Sequence, residues 1–160
     1  MPGAGKSTLG IILAKNMGFG FIDTDVLIQI NRQKTLQQIL DESGHLHLRA
    51  IEEAEILKLN IHRHIIATGG SVVYSEKAMR HLGGISTIIF LEAEFEVIQQ
   101  RIYNFETRGI AKDNAQSFEA LFWERQVLYK KYADATFNVS HLDQEQCAAQ
   151  IAGTVQADLE

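Results

Sequence analysis

The chain opens MPGAGKSTLG, and few stretches restrict a fold as tightly. A glycine-rich run ending in Gly-Lys-Ser is the second half of the pattern G-x-x-x-x-G-K-[ST], whose backbone amides cradle phosphates where a strand gives way to a helix. Gly5, Lys6 and Ser7 supply that half, and the pattern's first glycine would fall one place before Met1. Glycines at 3 and 5 let N–H groups converge on phosphate oxygens, and a helix beginning near Lys6 adds its positive end. In such a cradle Lys6 reaches the β- and γ-phosphates and the Ser7 hydroxyl ligates Mg²⁺. The plain alternative is a glycine turn before a helix that happens to contain Lys and Ser. Cradles of this kind follow a central strand of a sheet. Without it, two neighbouring strands would keep unpaired backbone groups, at about 1–3 kcal/mol each where buried. The expectation is therefore a natural chain with an upstream strand, or a sheet that has closed differently.

Behind the cradle, short apolar runs alternate with longer amphipathic ones. STLGIILAKNM carries Leu9, Ile12, Leu13 and Met17 as a helical stripe. FGFI (Phe19–Ile22) reads as a strand ending at Asp23, HLRAIEEAEILKL as a helix, and HIIATGG as a strand running into a glycine turn. STIIFLEA is a second apolar strand, EFEVIQQRI and SFEALFWERQVLYKKYA are helices, and ATFNV is a last strand. A closing helix follows, with Asp143 as its cap. Alternating strands and helices, with two strands apolar throughout, predict an α/β fold: three layers, α/β/α, around a central parallel sheet buried on both faces. Ligands of such sheets bind beyond the carboxyl ends of the strands. Asp23 and Asp25 follow one predicted strand, and Gly69 and Gly70 follow another.

The totals narrow the function. One hundred and sixty residues without repeats or a Pro-rich linker suit a single domain, 1–160. A net charge of −5 disfavours non-specific nucleic-acid binding. The lone cysteine, Cys147, rules out an intramolecular disulfide framework and suggests a reducing compartment. No apolar run nears the roughly 18 residues of a membrane span, and no signal pattern opens the chain. The expectation is a cytoplasmic protein and a monomer, with no membrane and no nucleic-acid partner.

FIDTD sets two carboxylates two residues apart; on an extended backbone both face one cleft. One can hold Mg²⁺ and the other can orient and deprotonate an attacking hydroxyl. The plainer role for the two is capping of the following VLIQI helix, and Asp25, just before it, could serve both purposes. The ordered series GKST, FIDTD, GHLHLRAIEE, ATGGS, ETRG and ERQVLYKKYAD resembles shikimate kinase, of the nucleoside-monophosphate-kinase-like P-loop group, over essentially the whole chain. The resemblance implies a kinase that uses ATP with Mg²⁺ to phosphorylate a hydroxyl of shikimate, a precursor of aromatic amino acids, and a mobile lid at about 104–116.

The resemblance also implies roles. Gly3, Ala4, Gly5, Lys6, Ser7 and Thr8 would bind ATP, with Arg101 packed on adenine. Ser7 and Asp23 would lie at Mg²⁺. Asp25 would hold substrate hydroxyls and act as the base. Arg49 and Arg125 would grip the substrate carboxylate, as planar guanidinium groups do well. Gly69 and Gly70 would let the ring approach, and Arg108 of the lid would neutralise the transferring phosphoryl group. For Arg49 and Arg125 the bland alternative is a surface pair with Glu52, Glu53 or Glu124. The chain departs from the family at His45, in place of glutamate, at Ser71, in place of a third glycine, and at Gly109, where proline is common. Ser71 keeps open a related kinase for another hydroxylated acid or a nucleotide. The missing strand and glycine keep open a catalytically impaired P-loop binding protein. The pairs His45/His47 and His62/His64 read as solvated, Phe122, Trp123 and Tyr129 as core, and Cys147 as half-buried.

Overall fold

A computed structural model describes residues 1–102, 110–113 and 115–157. Helix α1 (Lys6–Met17) leads into strand β1 (Gly20–Asp23), then α2 (Thr24–Arg32) and α3 (Leu36–Ile56). Strand β2 (His64–Ala67) is followed by a 3₁₀ turn (Val72–Tyr74) and α4 (Glu76–Ile85). Then come β3 (Ile89–Glu92), α5 (Phe95–Arg101), α6 (Phe118–Tyr132), β4 (Ala135–Asn138) and α7 (Gln144–Ala157). Asp143 caps α7, its side chain accepting from Gln146 N–H at 2.8 Å.

Every pairing between the strands is parallel, as the alternation requires. β1 pairs with β2 in the register Gly20 to His64 through Asp23 to Ala67. β3 pairs with β4 from Ile89 with Ala135 to Glu92 with Asn138. The two pairs do not join, so the expectation of a sheet closed differently is not met. Between them runs an apolar slot, lined from one side by Ile65, Ile66 and Ala67 and from the other by Ile89 and Leu91. This slot corrects a second expectation. Ile65, Ile66, Ile89 and Leu91 are only half-buried rather than covered on both faces, because among the described residues no strand lies between β2 and β3.

The main core gathers Leu9, Leu13, Ile56, Phe90, Ile98, Phe122 and Ile151 from helices and strands along the chain. A second, smaller cluster joins Ile28 of α2 to Ile39, Leu48 and Ile51 of α3, with Ala111 packed among them. It fixes these two helices against each other, and they carry Asp25, Arg49 and Glu52. Three expectations about bystanders need comment. Phe122 and Tyr129 are core, but Trp123 is 57 % exposed, since it falls on the outer face of α6. Cys147 is fully buried rather than half-buried, because α7 packs that face on α1. His47, His62 and His64 are exposed.

Candidate active site

A cavity of about 350 Å³ opens where α1 begins and β1 and β2 end, within the range of small-molecule sites. Gly3 and Gly5 both have left-handed backbones, φ 79° and 87°, which glycine adopts without strain. Gly5 is the N-cap of α1 and brings no side chain to the first amides of the helix. Those N–H groups, with the helix dipole behind them, favour an anion. Gly3, Gly5, Lys6, Ser7 and Thr8 line the cavity; Ala4 turns into the core, 4 % exposed. Lys6 Nζ donates to Met1 O at 2.8 Å across the loop. Arg101 lines the same end, and its Nη2 donates to Val139 O at 3.3 Å.

The two aspartates reach the cavity differently from the extended reading. Helix α2 starts at Thr24, so Asp23 is the cap and Asp25 already lies in the first turn. Asp23 Oδ1 accepts from the Asp25 and Val26 amides, at 3.0 and 3.3 Å. Capping thus falls to Asp23 and not to Asp25. The other Asp23 oxygen accepts from Ser7 Oγ at 2.5 Å. Asp25 Oδ1 is buried without a hydrogen-bond partner among the described residues. Burial lifts the Asp25 carboxyl above its ordinary range; Lys6 opposes the rise and Asp23 adds to it. A buried, unpartnered carboxylate with raised proton affinity suits a general base.

The far wall comes from the glycine turn after β2. Gly69 N–H donates to Thr24 Oγ1 at 3.2 Å, and Gly70 O accepts from Tyr129 O–H at 2.7 Å. Burial pushes the Tyr129 hydroxyl up to about 12, so it stays a donor. Arg125 is 1 % exposed, lines the cavity, and donates from Nη2 to Ala111 O at 2.7 Å. Arg49 donates to the same carbonyl at 3.4 Å and lies over the Tyr74 ring at 3.6 Å. It lines an adjoining cavity with His45 and Glu124 rather than the main one. Among the described residues neither arginine forms an ion pair, so the surface-pair alternative does not hold. Glu53 accepts from Ser75, and Glu124 from Tyr74 and Gln116. Each guanidinium instead keeps a buried Nε without a partner.

Sequence reasoning passed over Glu52, Tyr74, Tyr129 and the Ala111 carbonyl. Glu52 lines the cavity at 7 % exposure, and burial moves its carboxyl up to about 7, against a lowering hydrogen bond from Ser71. Its spacing from Arg49 suggested a helix-surface pair. Tyr129 fell at core spacing and is core, yet its hydroxyl also serves the site. Arg108, Gly109 and most of the expected lid lie outside the described residues. Ile110 and Ala111, which follow, line the cavity.

The family model for shikimate kinase matches residues 2–156. The chain belongs to the shikimate kinase family. It is 32 % identical over 152 residues to the shikimate kinase of Caldanaerobacter subterraneus subsp. tengcongensis, covering 93 % of this chain and 88 % of that one. Against the shikimate kinase of Thermobifida fusca it is 32 % identical over 158 residues, covering 98 % and 91 %. The solved shikimate kinase of Aquifex aeolicus superposes with a TM-score of 0.85 at 25 % identity, over 99 % of this chain and 94 % of that one. That of Acinetobacter baumannii, solved in complex with shikimate, has the same fold, with a TM-score of 0.89 at 24 % identity over 98 % and 89 %. Family membership makes the chain a phosphotransferase with ATP as co-substrate and a shikimate hydroxyl as acceptor. It favours that activity over another acceptor or an impaired binding protein. Among the described residues no helix is long and apolar enough to cross a membrane.

Proposed function

We propose that the cavity works as a two-ended clamp, with the triphosphate of ATP at the cradle and shikimate at the glycine wall. The amides of Gly3, Ala4, Gly5, Lys6, Ser7 and Thr8 hold the phosphates, with Lys6 at the β- and γ-oxygens. Arg101 packs on adenine at the mouth of the cradle. The observation that carries this reading is the meeting of Arg125 and Arg49 on one oxygen, Ala111 O, which belongs to a residue lining the same cavity as Lys6. An oxygen shared by two guanidinium groups marks where a carboxylate would bind bidentately.

Asp25 accepts from the acceptor hydroxyl and takes its proton as the hydroxyl oxygen attacks the γ-phosphorus. The new O–P bond forms while the bond to the β,γ-bridging oxygen breaks, and ADP departs with that electron pair. Gly69 and Gly70 let the ring lie against backbone; at 70 a side chain would crowd Arg125 and Tyr129. For Arg108, in the segment at about 104–116 expected as a lid and itself outside the described residues, the resemblance implies neutralisation of charge on the transferring group.

Ser7 Oγ and Asp23 Oδ2 present hard oxygen donors 2.5 Å apart beside the cradle, which fits Mg²⁺. The two residues would hold the ion, directly or through water. When bound, Mg²⁺ supplies charge that offsets the β- and γ-phosphate oxygens. The reading calls on no group from a second copy, and we take the protein to act as a monomer. The lone, buried Cys147 supports the cytoplasm. A coupled ADP-release assay on the purified protein, with and without shikimate, tests the function. ADP release that requires shikimate is expected; release at the same rate without it, or none at all, overturns the reading.

A further inference from the structure

Two cavities lie back to back between the strand pairs. One, of about 120 Å³, is walled by Met79 and Leu82 of α4 and Tyr129 of α6. The other, of about 170 Å³, lies against Leu9 and Leu13 of α1 and Ile151 of α7. Ile66 of β2 and Ile89 and Leu91 of β3 line both cavities, which are therefore the two faces of one slot in the strand layer.

The backbone beside the slot is turned toward it. Ile88 O accepts from Ala135 N–H at 3.3 Å and Glu92 O from Val139 N–H at 2.8 Å, so these carbonyls face the β4 side. Alternate residues of a strand in a parallel pair aim their N–H and C=O groups at opposite sides, which turns those of Ile89 and Leu91 to the slot. Arg63 O likewise accepts from Gly20 N–H at 2.8 Å, which turns Ile66 to the slot from the β2 side. Among the described residues no strand pairs with either edge. Edges of this kind template a further strand.

Met1 marks one end of the slot. It is 4 % exposed and lines the first cavity with Gly69 and Gly70, which follow the carboxyl end of β2. Burial holds its amino group well below the ordinary proton affinity, and the charged neighbours that act on it, Lys6 and Arg125, are both cations. A peptide nitrogen carries no charge and suits this place better than an ammonium does. The phosphate motif agrees. Counted back from Gly5, its first glycine is the residue joined to Met1, at the close of a strand.

We propose that the slot seats one extended segment, joined to Met1 on its N-terminal side, apolar on both faces, ending in glycine and parallel to β2 and β3. Side chains of a strand alternate between opposite faces, so a single strand fills both cavities while its N–H and C=O groups meet both edges. A helix does neither. The segment runs into Met1 beside the carboxyl end of β2, which makes it parallel. β2 and β3 have four residues each, which sets its length at about four or five. It joins the two pairs into one sheet in the order β1, β2, segment, β3, β4, and it seats the phosphate loop on a strand held from both sides. The acceptor plays no part in this, so the proposal stands apart from the shikimate reading.

The test compares the parent chain with two extended forms. One carries Val-Ile-Val-Leu-Ile-Gly before Met1; the other carries Val-Pro-Val-Pro-Ile-Gly, whose prolines remove ladder donors. The apolar extension is expected to raise Tm by about 10 °C or more and to slow amide exchange at Ile66, Ile89 and Leu91 at least about tenfold. The proline form should do neither. Where the parent is too unstable to purify, rescue by the apolar form alone supports the proposal. No gain from the apolar form, an equal gain from both, or failure of all three to fold overturns it. A crystal structure of the apolar form should show the extension between β2 and β3; a slot filled by a segment of a second copy, or an extension lying outside it, overturns the assignment.

Discussion

At the phosphate end of the cavity the groups come from one short stretch, Gly3 to Thr8, with Asp23 added from the end of β1. At the acceptor end they come from four places: Asp25 on α2, Arg49 and Glu52 on α3, the Gly69–Ser71 turn, and Arg125 and Tyr129 on α6. The first end is made chiefly of backbone amides, and its shape follows from two left-handed glycines and a helix start. The second is made of side chains, and its shape depends on α2 and α3 being pinned by Ile28, Ile39, Leu48 and Ile51. A phosphate needs only converging N–H groups, which a local turn supplies. A carboxylate with three hydroxyls needs opposite charges and acceptors held apart in a fixed pattern, which only tertiary packing supplies.

If the two ends are separable in this way, substitutions at one should leave binding at the other intact. The largest effect belongs to Asp25→Asn. Its kcat should fall by about 10²–10⁴, the usual range for loss of a general base, while ATP affinity measured by calorimetry stays within about twofold. Equal losses of ATP and shikimate affinity would break the comparison. Lys6→Met comes next, with a kcat lower by about 10²–10³, as for loss of one preorganised charged donor, and an unchanged shikimate Kd.

Arg125→Lys and Arg49→Lys sharpen the acceptor end. Arg125 lines the main cavity and holds Ala111 O at 2.7 Å; Arg49 holds it at 3.4 Å from the adjoining cavity. Both keep their charge but lose the planar fork. The shikimate KM should rise about tenfold for Arg125→Lys and less for Arg49→Lys, read from initial rates at saturating ATP. The reverse order would show that Arg49 is the principal clamp.

The smallest effect is on stability. Glu52 ionises at 4.5 in an exposed chain and at about 7 in the folded protein. Between those values the native state keeps a proton that the unfolded chain has released. Its contribution is therefore complete below pH 4.5 and is lost as pH rises through 7. Urea denaturation of the parent and of Glu52→Gln at pH 5 and pH 8 should show a smaller fall in stability between the two pH values for the variant. An equal fall would place the carboxylate in a wetter setting than the cavity wall.

The same contrast explains what could be read from the residues alone. GAGKST is a local motif with a local mechanism, and its glycines, lysine and helix start lie where the motif implies. The parallel strand pairs followed from alternating apolar runs. The extended reading of FIDTD failed because α2 begins inside it, and Asp23 spends one oxygen on the cap. The acceptor residues had no local signal of their own: Arg49 beside Glu52 looks like any helix-surface pair, and only the resemblance singled it out. Tyr74 and the Ala111 carbonyl escaped altogether, since nothing near them in the chain shows that they meet the arginines. The apolar slot between the strand pairs likewise depends on what lies beside β2 and β3 in space.

The most direct measurement is a crystal structure of the protein with ADP and shikimate both bound. The clamp predicts the β-phosphate on the amides around Lys6, the shikimate carboxylate on Arg125 and Arg49 in place of Ala111 O, and a ring hydroxyl on Asp25 pointing toward the phosphates. A carboxylate bound away from both guanidinium groups, or no hydroxyl within hydrogen-bond reach of Asp25, would contradict it.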